Sequence, residues 1–127
     1  MLHFTICDDE KNQLVFLEER LREWAGERKC EIEIELYQNA EQFLFQQGYE
    51  RETDILLLDI DMPLMNGIET FEHMKEFAAE IPVIFLTASG DVSDVVGALL
   101  LGAVNYLRKP CPPQELKKRV AQELEKK

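Results

Sequence analysis

Hydrophobic positions along the chain change period repeatedly, from short apolar runs to recurrences every three or four residues and back. Leu2 to Cys7 is an apolar run that ends at acids, and Leu14, Leu17, Leu21 and Trp24 then recur at helical spacing as far as Gly26. From Cys30 to Tyr37 the pattern alternates, Ile32, Ile34 and Leu36 against Glu31, Glu33 and Glu35, which predicts a strand with one wet face at a sheet edge. Asn39 and Gln42 form a capping-box-like pair ahead of Phe43 and Leu44, in a short helix that Gly48 ends. Ile55 to Leu58 and Val83 to Leu86 are apolar without alternation, as central parallel strands must be when helices cover both faces. Between them Ile68, Phe71, Met74 and Phe77 line one side of a helix; after them Val92, Val95, Val96, Leu99 and Leu100 line the next. Val104 to Leu107 reads as a fifth strand. Pro112 and Pro113 suit the first turn of a last helix whose buried stripe is Leu116, Val120 and Leu124.

Five strand-then-helix units predict an α/β fold: a doubly wound parallel sheet with right-handed crossovers, helices on both faces, and any site at the carboxyl ends of the strands. A length of 127 residues fits one core, so residues 1–127 are expected to form a single domain. The strand ends are polar. The first ends at Asp8-Asp9, the third at Asp59 and the fourth at Thr87, and the fifth is followed by Lys109-Pro110. Singly, each has an ordinary reading: Asp8 and Asp9 could cap a helix, Thr87 could close a turn, Tyr106 could be a half-buried strand aromatic. Asp59 is sharper, because an acid ending a wholly apolar strand is costly to bury without a partner. If these strands are neighbours, three carboxylates, a hydroxyl and an ammonium converge on one crevice. Crowded carboxylates there call for a cation, and Mg²⁺ suits an oxygen-lined site that keeps waters and leaves positions free for phosphate.

Charge narrows the partners. Asp plus Glu outnumber Lys plus Arg by 25 to 14, and a net charge of −11 repels phosphate backbones and anionic lipid, so no nucleic acid is expected to bind this chain alone. The longest uncharged apolar stretch, Val95 to Val104, is far short of the ~20 residues that span a bilayer. Cys7, Cys30 and Cys111 form an odd set without CxxC spacing, apart from His3 and His73, and the amino terminus lacks a basic leader. A cytoplasmic protein with reduced thiols and no zinc site is expected.

The stretch DILLLDIDMPLMNG from Asp54 to Gly67, with IPVIFLTAS from Ile81 to Ser89, GAVNYLRKP from Gly102 to Pro110 and the Asp8-Asp9 pair, resembles the receiver domain of bacterial two-component response regulators over essentially the whole chain. The resemblance implies the flavodoxin-like strand order 2-1-3-4-5. It implies that Asp59 accepts a phosphoryl group from a phosphohistidine on a sensor histidine kinase, in a phosphorelay. Asp9 would bind Mg²⁺ directly, Asp8 mostly through water, and the backbone carbonyl of Asp61 would be the third protein ligand. Lys109, before a Lys-Pro bond that is usually cis in the family, would pair with Asp59 and then with a phosphoryl oxygen. Thr87 would move to the phosphoryl group and Tyr106 would turn inward behind it, while Ala88 matches the family's small neighbour of the site. Asp61 and Ser89 stand where the family varies and tunes attack by water; whether an acid at Asp61 repels donors or orients water is left open.

A haloacid-dehalogenase-type phosphatase is the rival reading, since ILLLDID also resembles that family's DxD strand. Its metal-binding acid pair should follow the lysine, whereas here the pair precedes everything. The chain is therefore expected to be no enzyme beyond promoting its own phosphorylation and dephosphorylation. The wording IDMPLMNGIE from Ile60 to Glu69 resembles receivers that precede a LytTR-type DNA-binding domain, which would make this a regulator of transcription through an output domain outside the chain; a stand-alone regulator acting by protein contact is the alternative. The signal is expected to leave through the face of the 92–100 helix, the fifth strand and the last helix. Arg108, Lys117, Lys118 and Arg119 there, beside Glu115 and Glu123, suit a symmetric homodimer.

Overall fold

The computed structural model describes residues 1–45, 53–62, 65–75, 81–88, 97, 99–100, 102–109 and 111–126. In chain order these form β1 (Leu2–Cys7), α1 (Lys11–Glu27), β2 (Ile32–Tyr37), α2 (Ala40–Phe45), β3 (Ile55–Asp59), α3 (Gly67–Lys75), β4 (Val83–Thr87), β5 (Asn105–Arg108) and α4 (Pro113–Glu125). All strand pairs are parallel, in the order β2-β1-β3-β4-β5. Both the order expected from the resemblance and the edge position of β2 hold.

The two central apolar runs work as parallel strands because successive side chains enter different layers. Ile55 and Leu57 of β3, with Ile84 and Leu86 of β4, pack with Leu14, Leu17, Leu21 and Trp24 of α1 and Leu116 and Val120 of α4. Leu56, Leu58, Val83 and Phe85 pack in the second layer with Phe43, Phe71 and Met74 of α2 and α3. All four apolar residues of β3 are fully buried, each worth roughly 1.5–3 kcal/mol relative to exposure. This anchoring fixes the height of Asp59, the next residue on the strand.

Caps confirm some local expectations and refine others. Asn39 Oδ1 accepts the Gln42 N–H (2.7 Å), but Gln42 reaches back to Gln38 instead of to Asn39. A reciprocal capping box that the sequence analysis missed joins Asn66 and Glu69 at the start of α3. Leu36 is exposed, not inward-facing, while Tyr37 is buried against Phe43. The fifth strand starts one residue later than expected, leaving Val104 exposed. Leu99 and Leu100 are helical yet exposed, Leu100 to 82%, so they do not line an inward stripe; Val92, Val95, Val96, Phe77 and Gly48 lie outside the described residues.

The last helix carries a charged residue on its buried stripe. Glu123 is buried, accepting a hydrogen bond from Asn105 Nδ2 (3.1 Å) and pairing with Lys126. Asn105 Oδ1 in turn accepts from Arg119, whose Nε binds Glu115 (2.7 Å), so these groups tie β5 to α4. Lys117 turns the other way, to Glu27 (2.7 Å) and Glu23 of α1. Of the expected mixed-charge cluster, Lys117 faces α1 instead, whereas Arg119, Glu115 and Glu123 lie at the β5 side and are engaged within the chain. Among the described residues no helix is long and apolar enough to cross a membrane.

Candidate functional site

The strand order brings the polar strand ends together. β1 lies between β2 and β3, so Asp8 and Asp9 follow the strand directly beside the one that Asp59 ends. Asp59 pairs in register with Leu86, which places Thr87 one step further on the adjacent strand. Thr87 pairs with Arg108, and the Lys109 N–H donates to the Thr87 carbonyl (2.8 Å), bringing the lysine to the crevice from the other side.

Asp8 and Asp59 are buried, as is Thr87, whereas Asp9, Asp61 and Ala88 are exposed at the mouth. Lys109 Nζ lies 2.8 Å from Asp8 Oδ2 and 3.3 Å from Asp59 Oδ1. Carboxylate oxygens of Asp8, Asp9 and Asp59 all lie within 4.8 Å of one another. At that separation two carboxylates repel by about 3 kcal/mol with an effective dielectric constant near 20. Burial, then the Asp8 charge, push the Asp59 carboxyl from 3.8 up to about 7, with the neighbouring Asp9 carboxylate acting the same way, against the opposing pull of Lys109 and the Asp61 N–H. Burial works to lower the pKa of Lys109, but its hydrogen bond to Asp8 and the Asp59 charge outweigh this and raise it.

Backbone contacts shape the loop after Asp59. Its Oδ1 accepts the Asp61 N–H (3.0 Å), and the Ile60 carbonyl accepts the N–H groups of both Met62 and Gly67. A Cβ on Gly67 would stand inside van der Waals contact with the Asp59 carbonyl oxygen and 2.8 Å from its carbon, so only glycine lets α3 begin this close. Asp8 is not a helix cap: its Oδ1 accepts the Glu10 N–H (2.9 Å), and Glu10, without a side-chain cap bond, is the N-cap of α1.

A family profile for the response regulator receiver domain matches residues 4–121. The chain belongs to that family. Over 69 residues it is 44% identical to the response regulator SaeR of Staphylococcus aureus strain USA300, an alignment covering 54% of this chain and 30% of that protein. The chain thus matches less than a third of the length of that relative. It is also similar to the structure described as the BeF3-activated DrrB receiver domain, at 29% identity, 98% coverage of both chains and a TM-score of 0.81. A receiver domain protein from Clostridium thermocellum shares the fold at 23% identity, with a TM-score of 0.86 and coverage of 99% and 96%.

Within this receiver domain the sequence expectations for Asp8, Asp9, Asp59, Thr87 and Lys109 meet at one crevice. Ser89 and Pro110 lie outside the described residues. Tyr106 is exposed at 38%, directed away from the interior. It borders an open groove of about 500 Å³ lined by Arg108, Lys109, Pro112, Glu115 and Arg119. The acidic crevice fits a divalent cation on two observations: three carboxylates converge, and Asp59 Oδ2 is buried with no hydrogen-bond partner. The sequence analysis placed the Asp61 side chain only as an influence on donors and water; in the structure its Oδ2 accepts the Ala88 N–H (2.9 Å) and so links the loops after β3 and β4. Nothing in a spacing pattern signals a carboxylate-to-amide contact 27 positions away. Cys7 donates to Met62 Sδ (3.7 Å) beneath the site, where burial and the nearby Asp59 charge push its thiol pKa up and keep it unreactive.

Proposed function

We propose that this receiver domain is a phosphorylation switch in which Asp59 takes a phosphoryl group from a sensor histidine kinase. The observation that carries the reading is the Asp59 carboxylate itself: buried at the end of a wholly apolar strand, held on one oxygen by Lys109 and the Asp61 N–H, with its other oxygen unpartnered. An Asp59 oxygen attacks phosphorus, the phosphorus–nitrogen bond of phosphohistidine breaks, and the imidazole nitrogen leaves with the bonding pair. Lys109 balances the charge that builds on the phosphoryl oxygens. Asp8, Asp9 and Asp59, with the Asp61 carbonyl, would hold Mg²⁺, which supplies charge neutralisation between carboxylates and phosphoryl oxygens. Attack by water on the acyl phosphate returns the carboxylate and releases inorganic phosphate, so the chain promotes its own phosphorylation and dephosphorylation.

Thr87 and Lys109 gain an interaction with the phosphoryl group that the free carboxylate does not offer, which biases one of two arrangements. Tyr106 turns inward as Thr87 moves, changing the face it borders. Leu99, Leu100, Val104 and Tyr106 are exposed in the free state, and this supports self-association or an output contact there, in a cytoplasmic regulator of transcription whose output domain lies outside this chain. Incubation with phosphoramidate and Mg²⁺ tests the reading: intact mass should show one added phosphoryl group, absent in Asp59→Asn. Labelling retained in that variant would refute it.

A further inference from the structure

The Asp61 side chain makes a contact that the switch described above does not use. Its Oδ2 accepts the Ala88 N–H at 2.9 Å, while its own N–H donates to Asp59 Oδ1 at 3.0 Å. One residue therefore touches the phosphoacceptor through its backbone and the β4 loop through its carboxylate. Both Asp61 and Ala88 are exposed, so water could satisfy either group, and ordering the side chain to bridge them costs rotamer entropy. A charge-assisted bond to a backbone amide is strong enough to hold it.

The inner side of Asp59 is closed by Asp8 and Lys109. A phosphoryl group added to Asp59 must extend toward the mouth, where the Ala88 N–H, immediately after Thr87, is a backbone donor on the β4 side among the described residues. That N–H already serves an anion. We propose that the Asp61 carboxylate is an internal stand-in for the phosphoryl group, a latch on the Ala88 amide that holds the β4 loop in the unphosphorylated arrangement. Asp61 is thus a positioning residue that sets how far phosphorylation shifts the switch. The new dianion repels the Asp61 carboxylate and replaces it on the amide, so latch and phosphoryl group exclude one another. Differential affinity of this kind is what moves a two-state equilibrium. The inference rests on Asp59 being the phosphoacceptor.

The test compares wild type, Asp61→Asn and Asp61→Ala, all of which keep the Asp61 backbone carbonyl. Each is titrated with beryllofluoride, a phosphoryl mimic, in the presence of Mg²⁺, following the amide resonances of Ala88 and its neighbours. Asn keeps an acceptor for the Ala88 N–H without the charge, and Ala removes both. Beryllofluoride should bind Asp61→Ala about tenfold more tightly than wild type, with Asp61→Asn in between. Before any addition, the Ala88 amide proton should lie upfield in Asp61→Ala relative to the other two, and it should reach a common position in all three when saturated. Equal affinities across the three proteins overturn the latch. Equal affinities in the two variants, both tighter than wild type, also overturn it, because charge repulsion alone then accounts for the gain. A wild type that does not respond to beryllofluoride overturns the phosphoacceptor reading as well, which separates the two failures.

Discussion

Replacing Asp59 by Asn should stabilise the metal-free protein, and by an amount that depends on pH in a defined sense. The carboxyl is buried beside Asp8, and its pKa rises from 3.8 to about 7. A folded-state pKa above the unfolded one means that the native protein binds the proton more tightly, so stability is greatest while the group is protonated and falls as pH rises. The loss begins near the unfolded value of 3.8, accumulates up to about 7, and is flat above it. Fully developed it corresponds to about 4 kcal/mol at most, and roughly 2–3 kcal/mol of it falls between pH 5 and pH 8. Asn carries no charge and escapes this penalty, although its amide offers Lys109 a weaker partner. Urea unfolding in chelator at both pH values should therefore show the variant gaining on wild type by about 2 kcal/mol as pH rises from 5 to 8. Millimolar Mg²⁺ at pH 8 should restore much of the difference in wild type and little in the variant, by linkage between binding and folding. A gap between the two proteins that does not change with pH, or a variant less stable than wild type at pH 8, would refute the account of a strained buried carboxylate.

Asp9→Asn should weaken Mg²⁺ binding at least tenfold by calorimetry, because one of the three converging carboxylates is neutralised; unchanged affinity would move the cation elsewhere. Wild-type Mg²⁺ affinity should itself fall as pH drops through about 7, since proton and cation compete for Asp59. Gly67→Ala should lower stability by about 1–3 kcal/mol and slow labelling by phosphoramidate, as the added Cβ displaces the Asp59 backbone; thermal denaturation and intact mass check both. Lys109→Ala should still accept some phosphate, but the amide spectrum of its labelled form should stay close to that of the unlabelled one, because the ammonium favours the phosphorylated arrangement.

The sequence alone determined the elements whose signal is periodic and local. Ile55 to Leu58 and Val83 to Leu86, short apolar runs set between helical stretches, read as central strands covered on both sides, and Leu14, Leu17, Leu21 and Trp24 as one face of a helix, because burial imposes those patterns on the chain. The site's membership was legible for the same reason: an acid after a strand that must be buried has a position set by its neighbours, and four such strand ends converge in a doubly wound sheet. What tertiary structure decided are contacts between residues that no period relates. Glu123, three residues after Val120 and seven after Leu116, lies on the inward stripe by period, but only Asn105 and Lys126 standing beside it let a carboxylate stay buried there. Lys117 faces α1 and not the β5 side because Glu23 and Glu27 lie across from it. Leu100 stays exposed despite an apolar pattern, since burial depends on what packs opposite and not on hydrophobicity. The Asp61 carboxylate reaches the Ala88 amide for a like reason: β3 and β4 are hydrogen-bonded neighbours, and their loops emerge side by side only once the sheet has formed. Periodicity follows from the backbone geometry of one element, whereas pairing of side chains follows from the relative placement of two.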